Sequence, residues 1–224
     1  MKQNKTTSRR NFIGAMGTGA TLAFSAMASP LAAAIPDELK SIHEAEAWFN
    51  KVKGKHRIVY DATEPHDAFP IIWSWVFYKT NNQTGTPDNE LTSVVVLRHG
   101  AIPFAMEDRL WEKYKFGERF KVNDPLTSAP AIRNPYWIPD AKMWIDFGIE
   151  GIKKQQERGV MFCVCDMAIT VNSMMTAQAM NANPEEVKKE WIGGLLPGVQ
   201  VVPSGVWAVN RAQEKGCSYC YAGG

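Results

Sequence analysis

Four cysteines offer the most reactive chemistry in this 224-residue chain, and they fall in two pairs of different spacing, Cys163-Val164-Cys165 and Cys217-Ser218-Tyr219-Cys220. In a β-strand residues i and i+2 share a face, so a strand running through Cys163 and Cys165 sets both thiols on one side of a sheet. Cys165 then stands last, just before a helix start. The partial positive charge of a helix N-terminus favours the thiolate, which is the nucleophilic form of cysteine. Cys163, one pleat deeper, reads as an inert core thiol. The C-x-x-C pair admits three readings: a disulfide, a redox pair, or half of a metal site completed by Cys163 and Cys165. Thiolates of a C-x-C inside a strand splay along one face instead of wrapping an ion, and this C-x-x-C trails into Tyr221-Ala222-Gly223-Gly224 instead of opening a helix. A structural role, or none, for Cys217 and Cys220 therefore ranks above metal binding, and metal above redox catalysis. No metal or other cofactor is expected.

The elements that must position these thiols alternate in type. Arg57 to Ala62, Thr92 to His99, Gly159 to Cys165 and Val199 to Pro203 are β-rich runs, and a short last strand fits Ser218 to Tyr221. Helical patterns lie between them at Phe69 to Thr80, Glu107 to Lys115, Ala141 to Gln156, Met167 to Met180, Pro184 to Leu195 and Val206 to Lys215. Such alternation predicts an α/β domain on a mostly parallel sheet, and unbroken Val/Ile runs predict strands covered on both faces. Ligands of open parallel sheets bind at the carboxyl ends of the strands. The residues that follow the strands are Asp61, Glu64, His66 and Asp67; His99 and Gly100; Cys165 and Asp166; and Ser204 and Gly205. Asp166 and Ser204 read as helix N-caps and the glycines as turn residues. His99, beside Arg98 and Gly100, reads equally as hydrogen-bonded packing or as a proton handler that assists Cys165. The methionines Met167, Met174 and Met175 recur on one side of a helix and are expected in the core rather than on copper. The Pro-rich stretch from Phe116 to Pro139 reads as a long loop serving as a lid or an assembly contact.

Several classes are excluded. The chain has no G-x-S-x-G, H-E-x-x-H, Walker or C-x-x-C-H motif, and no G-x-G-x-x-G after a strand. Lys2, Lys5, Arg9 and Arg10 precede the first acid, Asp37, so without them the formal charge of +2 becomes −2. A domain so nearly neutral lacks the basic surface that nucleic-acid binding needs. Residues 1–34 have the layout of an export signal, and Ser8-Arg9-Arg10-Asn11-Phe12-Ile13 matches the twin-arginine consensus. The expected address is the periplasm, reached folded through the twin-arginine (Tat) translocase. A single domain is expected over residues 37–224, with no transmembrane segment in the mature form, because the apolar run from Phe69 to Tyr78 is too short to span a bilayer.

The succession Val95-Val96-Leu97-Arg98-His99-Gly100-Ala101, then Trp111 to Glu118, then Arg158 to Cys165, then Leu196 to Gly205 resembles the DsrE/DsrF-like sulfur-relay superfamily, in particular its exported, twin-arginine-tagged branch. The resemblance spans about His56 to Gly216. It implies a three-layer α/β/α domain on a sheet of about five strands, assembled as a trimer or hexamer. It further implies that Cys165 carries sulfur as a persulfide between a donor and an acceptor protein. Export, the second thiol at Cys163, the Phe116 to Pro139 insertion and the Cys217/Cys220 tail depart from the family pattern. Two other functions remain open on the residues: a non-catalytic oligomeric binding or assembly module, and a thiolate metal-binding protein.

Overall fold

The computed structural model describes residues 37–223, so the export signal expected over residues 1–34 lies outside the described residues. In chain order the elements are α1 (Asp37–Phe49), β1 (His56–Ala62), α2 (Phe69–Gln83), β2 (Leu91–Leu97), α3 (Asp108–Tyr114), α4 (Phe116–Arg119), α5 (Lys142–Phe147), α6 (Ile152–Glu157), β3 (Met161–Cys165), α7 (Asp166–Met180), α8 (Pro184–Gly193), β4 (Gln200–Val202), α9 (Gly205–Glu214) and β5 (Ser218–Tyr221). The five strands form one sheet in the order β4-β3-β2-β1-β5, and every neighbouring pair is parallel. Helices cover both faces, giving the three-layer α/β/α architecture.

Alternation along the strands decides what each face buries. Tyr60, Ala62, Val95, Leu97, Phe162 and Val164 point to the front, where α2, α3, α7 and α8 supply Ile71, Tyr78, Leu110, Trp111, Ile169 and Trp191. Val59, Val94, Val96, Met161, Cys163 and Val202 point to the back, against Ala45, Trp48 and Phe49 of α1 and Ala208 and Ala212 of α9. The middle strand β2 is buried at every residue, as an unbroken apolar run requires.

The chain moves steadily from β1 to β4 with its helices on the front, then returns to β5, beside β1, through α9 on the back. Reversing direction and face together keeps each crossover right-handed. One consequence matters for function. Helices α7 and α9 leave the neighbouring strands β3 and β4 toward opposite faces, so a crevice opens between them at their carboxyl ends.

Three expectations need correction. No helix was expected over α1, yet Ala45, Trp48 and Phe49, at i, i+3 and i+4, anchor it to the back of the sheet. The single helix expected from Ala141 to Gln156 is two, α5 and α6. Gly148 takes a left-handed φ of 62° and closes α5, and the Ile149 N–H returns to the Trp144 carbonyl at 2.8 Å. The exposed methionines are the third correction: Met167, Met174 and Met175 of α7 are each more than half exposed, while Ile169, Ser173, Thr176 and Ala177 form its buried face. The stretch from Phe116 to Pro139 forms no further helix or named strand after α4, and its Leu126, Ile132 and Ile138 are exposed. It is packed into the domain: Phe116, Val122, Ala131 and Tyr136 belong to the front core, and buried Asn134 donates to the Phe104 and Met106 carbonyls at 3.0 and 2.9 Å.

Gly117 holds that stretch in place. Its N–H donates to the Ala131 carbonyl at 3.2 Å, and a Cβ there would collide with the Ala131 backbone and lie 2.7 Å from the Pro130 carbonyl carbon. Backbone cannot yield as a side-chain tip can. Gly117→Ala is expected to lower stability by about 1–3 kcal/mol, measured as a shift in the urea midpoint at constant m-value; an unchanged midpoint would contradict this packing.

Candidate functional site

Cys165 ends β3 beside the β3/β4 crevice, paired in register with Val202. Its backbone is extended (φ −75°, ψ 113°) while the next residue is already helical, so Cys165 is the N-cap of α7 and its Sγ accepts the Ala168 N–H at 3.2 Å. A sulfur in that place lies at the positive end of a 15-residue helix. The thiol is enclosed, with the residue only 6% exposed. Asp166, expected as the cap, is instead the first helical residue and pairs with Lys188 at 3.0 Å, because the sulfur already occupies the capping position.

The same parity that puts Cys163 and Cys165 on the back face also selects Val59 and Asp61 on β1, and Val96 and Arg98 at the end of β2. Arg98 follows the Leu97–Val164 pair and keeps an extended backbone, its N–H donating to the Ala62 carbonyl at 2.9 Å. Its Nε and Nη2 donate to the two Asp61 carboxylate oxygens at 2.6 and 2.9 Å. Tyr219 of β5 donates its phenol proton to Asp61 Oδ2 at 3.0 Å. Asp61 is 5% exposed, so this carboxylate is satisfied inside the protein. The hydrogen bonds from Arg98 to Asp61 hold the guanidinium protonated beyond its ordinary range, against the opposing effect of burial, and negative charge on Tyr219 or Cys165 reinforces it. Burial, then the bond to Asp61, likewise keeps the Tyr219 phenol protonated. The Arg98 stem lies across the start of α9: a Cβ on Gly205 would come within 2.6 Å of Arg98 Cβ, so only glycine admits it. Ser204 caps α9 as expected, its Oγ accepting the Trp207 N–H at 3.3 Å.

Arg98 thus extends β2 next to Cys165 on the same face of the sheet, with its guanidinium drawn toward Asp61 on β1.

No protein family, curated protein or solved structure matches the chain.

The remaining sequence candidates are distributed as follows. His99 does not continue β2: it takes a left-handed φ of 49° and opens a 3-10 turn, its Nδ1 2.5 Å from Glu64 Oε1 and its side chain 73% exposed. The chain turns there, so His99 partners Glu64 and is not brought to Cys165. His66 Nε2 lies 2.9 Å from the Tyr221 hydroxyl, within a run of left-handed residues, His66, Asp67 and Ala68. Cys163 is wholly buried, and burial, then a negative charge at Cys165, pushes its thiol far up from the ordinary range. All four cysteines are free. The strand order sets β3 and β5 at opposite sides of β2 and β1, so Cys163 and Cys165 stand about three strand spacings, or roughly 14 Å, from Cys217 and Cys220. Cys217 faces the back core and Cys220 packs on the front. Among the described residues no three His, Cys, Asp or Glu side chains are grouped to hold a metal ion.

Arg98 and Tyr219 were missed by motif reading. The signal was present in the strand-end Arg98 directly after the β-rich run, but pairing it with Asp61 requires the register, and Tyr219 becomes a neighbour only because β5 returns beside β1.

Proposed function

We propose that the protein is a sulfane-sulfur acceptor and carrier in which Cys165 forms a persulfide, in line with the DsrE-like reading of its sequence. The observation that carries this reading is the Cys165 sulfur capping α7 through the Ala168 N–H, at the strand-end crevice. In the step, the Cys165 thiolate attacks a terminal sulfane sulfur of a polysulfide. One S–S bond forms, the donor's S–S bond breaks, and the shortened polysulfide leaves with the electron pair. No external oxidant is required. The product persulfide is again an anion, carried at the N-terminus of α7. An acceptor thiolate reverses the exchange. Enclosure of Cys165 suits short inorganic chains and slows its oxidation by bulkier agents. The site of action is the periplasm, reached through the Tat translocase, and the assembly is a homo-oligomer, a trimer or hexamer. Among the described residues no helix is long and apolar enough to cross a membrane.

Intact mass spectrometry after brief treatment with polysulfide tests the proposal. The wild-type chain should gain about 32 Da in a form removed by reductant and mapped to Cys165. Cys165→Ala should lose this gain, and Cys163→Ala should keep it. Equal uptake by Cys165→Ala would overturn the assignment.

A second reading, a non-catalytic assembly module, draws on the exposed apolar side of α7, where Met167, Val171, Met174, Met175 and Met180 face outward. Partner capture undiminished by removal of all four thiols would favour it.

A further inference from the structure

The geometry points to a second site, separate from Cys165, that binds a small organic carboxylate. It is a cleft of about 440 Å³ bounded by the turns that follow β1 and β2, the end of α4 and the outer side of α7.

Its distinguishing feature is unbalanced positive charge. Among the described arginines, Arg98, Arg109, Arg133, Arg158 and Arg211 each rest on at least one carboxylate, whereas Arg57 and Arg119 do not, and both have an enclosed Nε without an acceptor. Arg119, which lines the cleft, has no carboxylate partner among the described residues. One of its terminal nitrogens donates to the Asn172 carbonyl at 3.3 Å, while its Nε is enclosed and has no acceptor. Burial without a counter-charge weakens its hold on its proton, and that cost is relieved by an anion. Lys121, two residues on, is exposed and likewise lacks a carboxylate partner among the described residues. The acid in the cleft, Glu64, is engaged by His99 and lies against Gly100 so closely that a Cβ there would overlap its carboxylate. Glu64 is therefore directed at His99 and makes no ion pair with Arg119 or Lys121.

The backbone around these groups is strained. Lys121 and His99 both take left-handed φ values, 55° and 49°, without being glycine. Non-glycine residues held there collect at ligand sites, where neighbouring structure over-determines them. Phe120 and Met175 supply apolar wall beside the cations. The remaining guanidinium N–H groups with a second cation nearby fit a carboxylate, and the apolar wall fits a carbon body attached to it. The volume lies within the range of small-molecule sites.

The test is an NMR titration of the ¹⁵N-labelled protein with benzoate, with benzyl alcohol as its neutral counterpart and sulfate as an inorganic anion. Benzoate should give saturable shifts centred on Arg119, Lys121 and Asn172, and benzyl alcohol and sulfate should bind at least about tenfold more weakly. Arg119→Gln should weaken benzoate about tenfold. Lys121→Gly removes the charge and relaxes the backbone, so it should fold at least as stably as wild type and still bind benzoate several-fold more weakly. Cys165→Ala should leave the titration unchanged, which separates this site from the sulfur-carrier reading. Absence of saturation at tens of millimolar, equal binding of benzyl alcohol or sulfate, or unaltered binding by Arg119→Gln and Lys121→Gly would each overturn the proposal.

Discussion

Asp61→Ala is expected to destabilise the protein by about 3 kcal/mol and to disorganise the surroundings of Cys165. The carboxylate is almost fully buried and accepts three hydrogen bonds, two from Arg98 and one from Tyr219. Removing it strands a guanidinium whose side chain is only 27% exposed, and breaking one side of a buried ion pair costs about 3–5 kcal/mol because the remaining charge is uncompensated. The lower end of that range applies, since Arg98 keeps some contact with solvent. The companion variant is informative: Asp61→Ala combined with Arg98→Met removes both charges and should recover much of the loss. Guanidinium unfolding of the four members of this cycle measures the coupling. A loss below about 1 kcal/mol for Asp61→Ala would mean that the pair is solvated in a way its geometry does not show.

The second large effect is expected at Trp191. This residue of α8 is fully buried, edge-on to Phe116 (ring centroids 4.8 Å apart, 81° between planes) and to Tyr114 (5.6 Å, 67°). Through it, α8 is joined to α3 and α4, the segment that also carries Arg119. Trp191→Ala should cost about 3–5 kcal/mol, from lost apolar burial and the cavity left behind. Trp191→Phe should cost much less than Trp191→Ala: it keeps a ring against Phe116 and deletes an indole N–H that is buried without an acceptor. Denaturant midpoints of the two variants check the order, and a smaller loss for Ala than for Phe would contradict it.

These effects show where sequence patterns were sufficient. Unbroken Val runs announced a sheet buried on both faces, the spacing of Cys163 and Cys165 announced one shared face, and Ser204 announced a cap. All three are decided within a few residues by backbone periodicity and local hydrogen bonding. What could not be read locally is the set of neighbours around Cys165. Asp61, Arg98 and Tyr219 come together through strand order, and Tyr219 belongs to a strand that crosses back over the whole sheet. His99 misleads for the opposite reason: it is adjacent in sequence to Arg98, but a single left-handed residue turns it toward Glu64. The methionines of α7 show a further limit. Helical periodicity identifies a side without saying whether that side meets the sheet, and here Ile169, Ser173, Thr176 and Ala177 take the inner side.

The placement of the C-x-x-C pair, Cys217 immediately before β5 and Cys220 within it, has a consequence for an oxidising compartment. Cys217 and Cys220 lie three residues apart along an extended chain, about 10 Å between Cα atoms, on opposite sides of the sheet. A disulfide requires a Cα separation under about 7 Å and thiols that face each other. The crosslink and the strand are therefore mutually exclusive. Closing it would require β5 to unpair from β1, its sole neighbour in the sheet, and would withdraw Tyr219 from Asp61. The burial that pushes the Cys217 thiol up to about 11 keeps it in the unreactive form while the strand is docked. Strand pairing, rather than the absence of oxidant, is thus what keeps these two sulfurs apart.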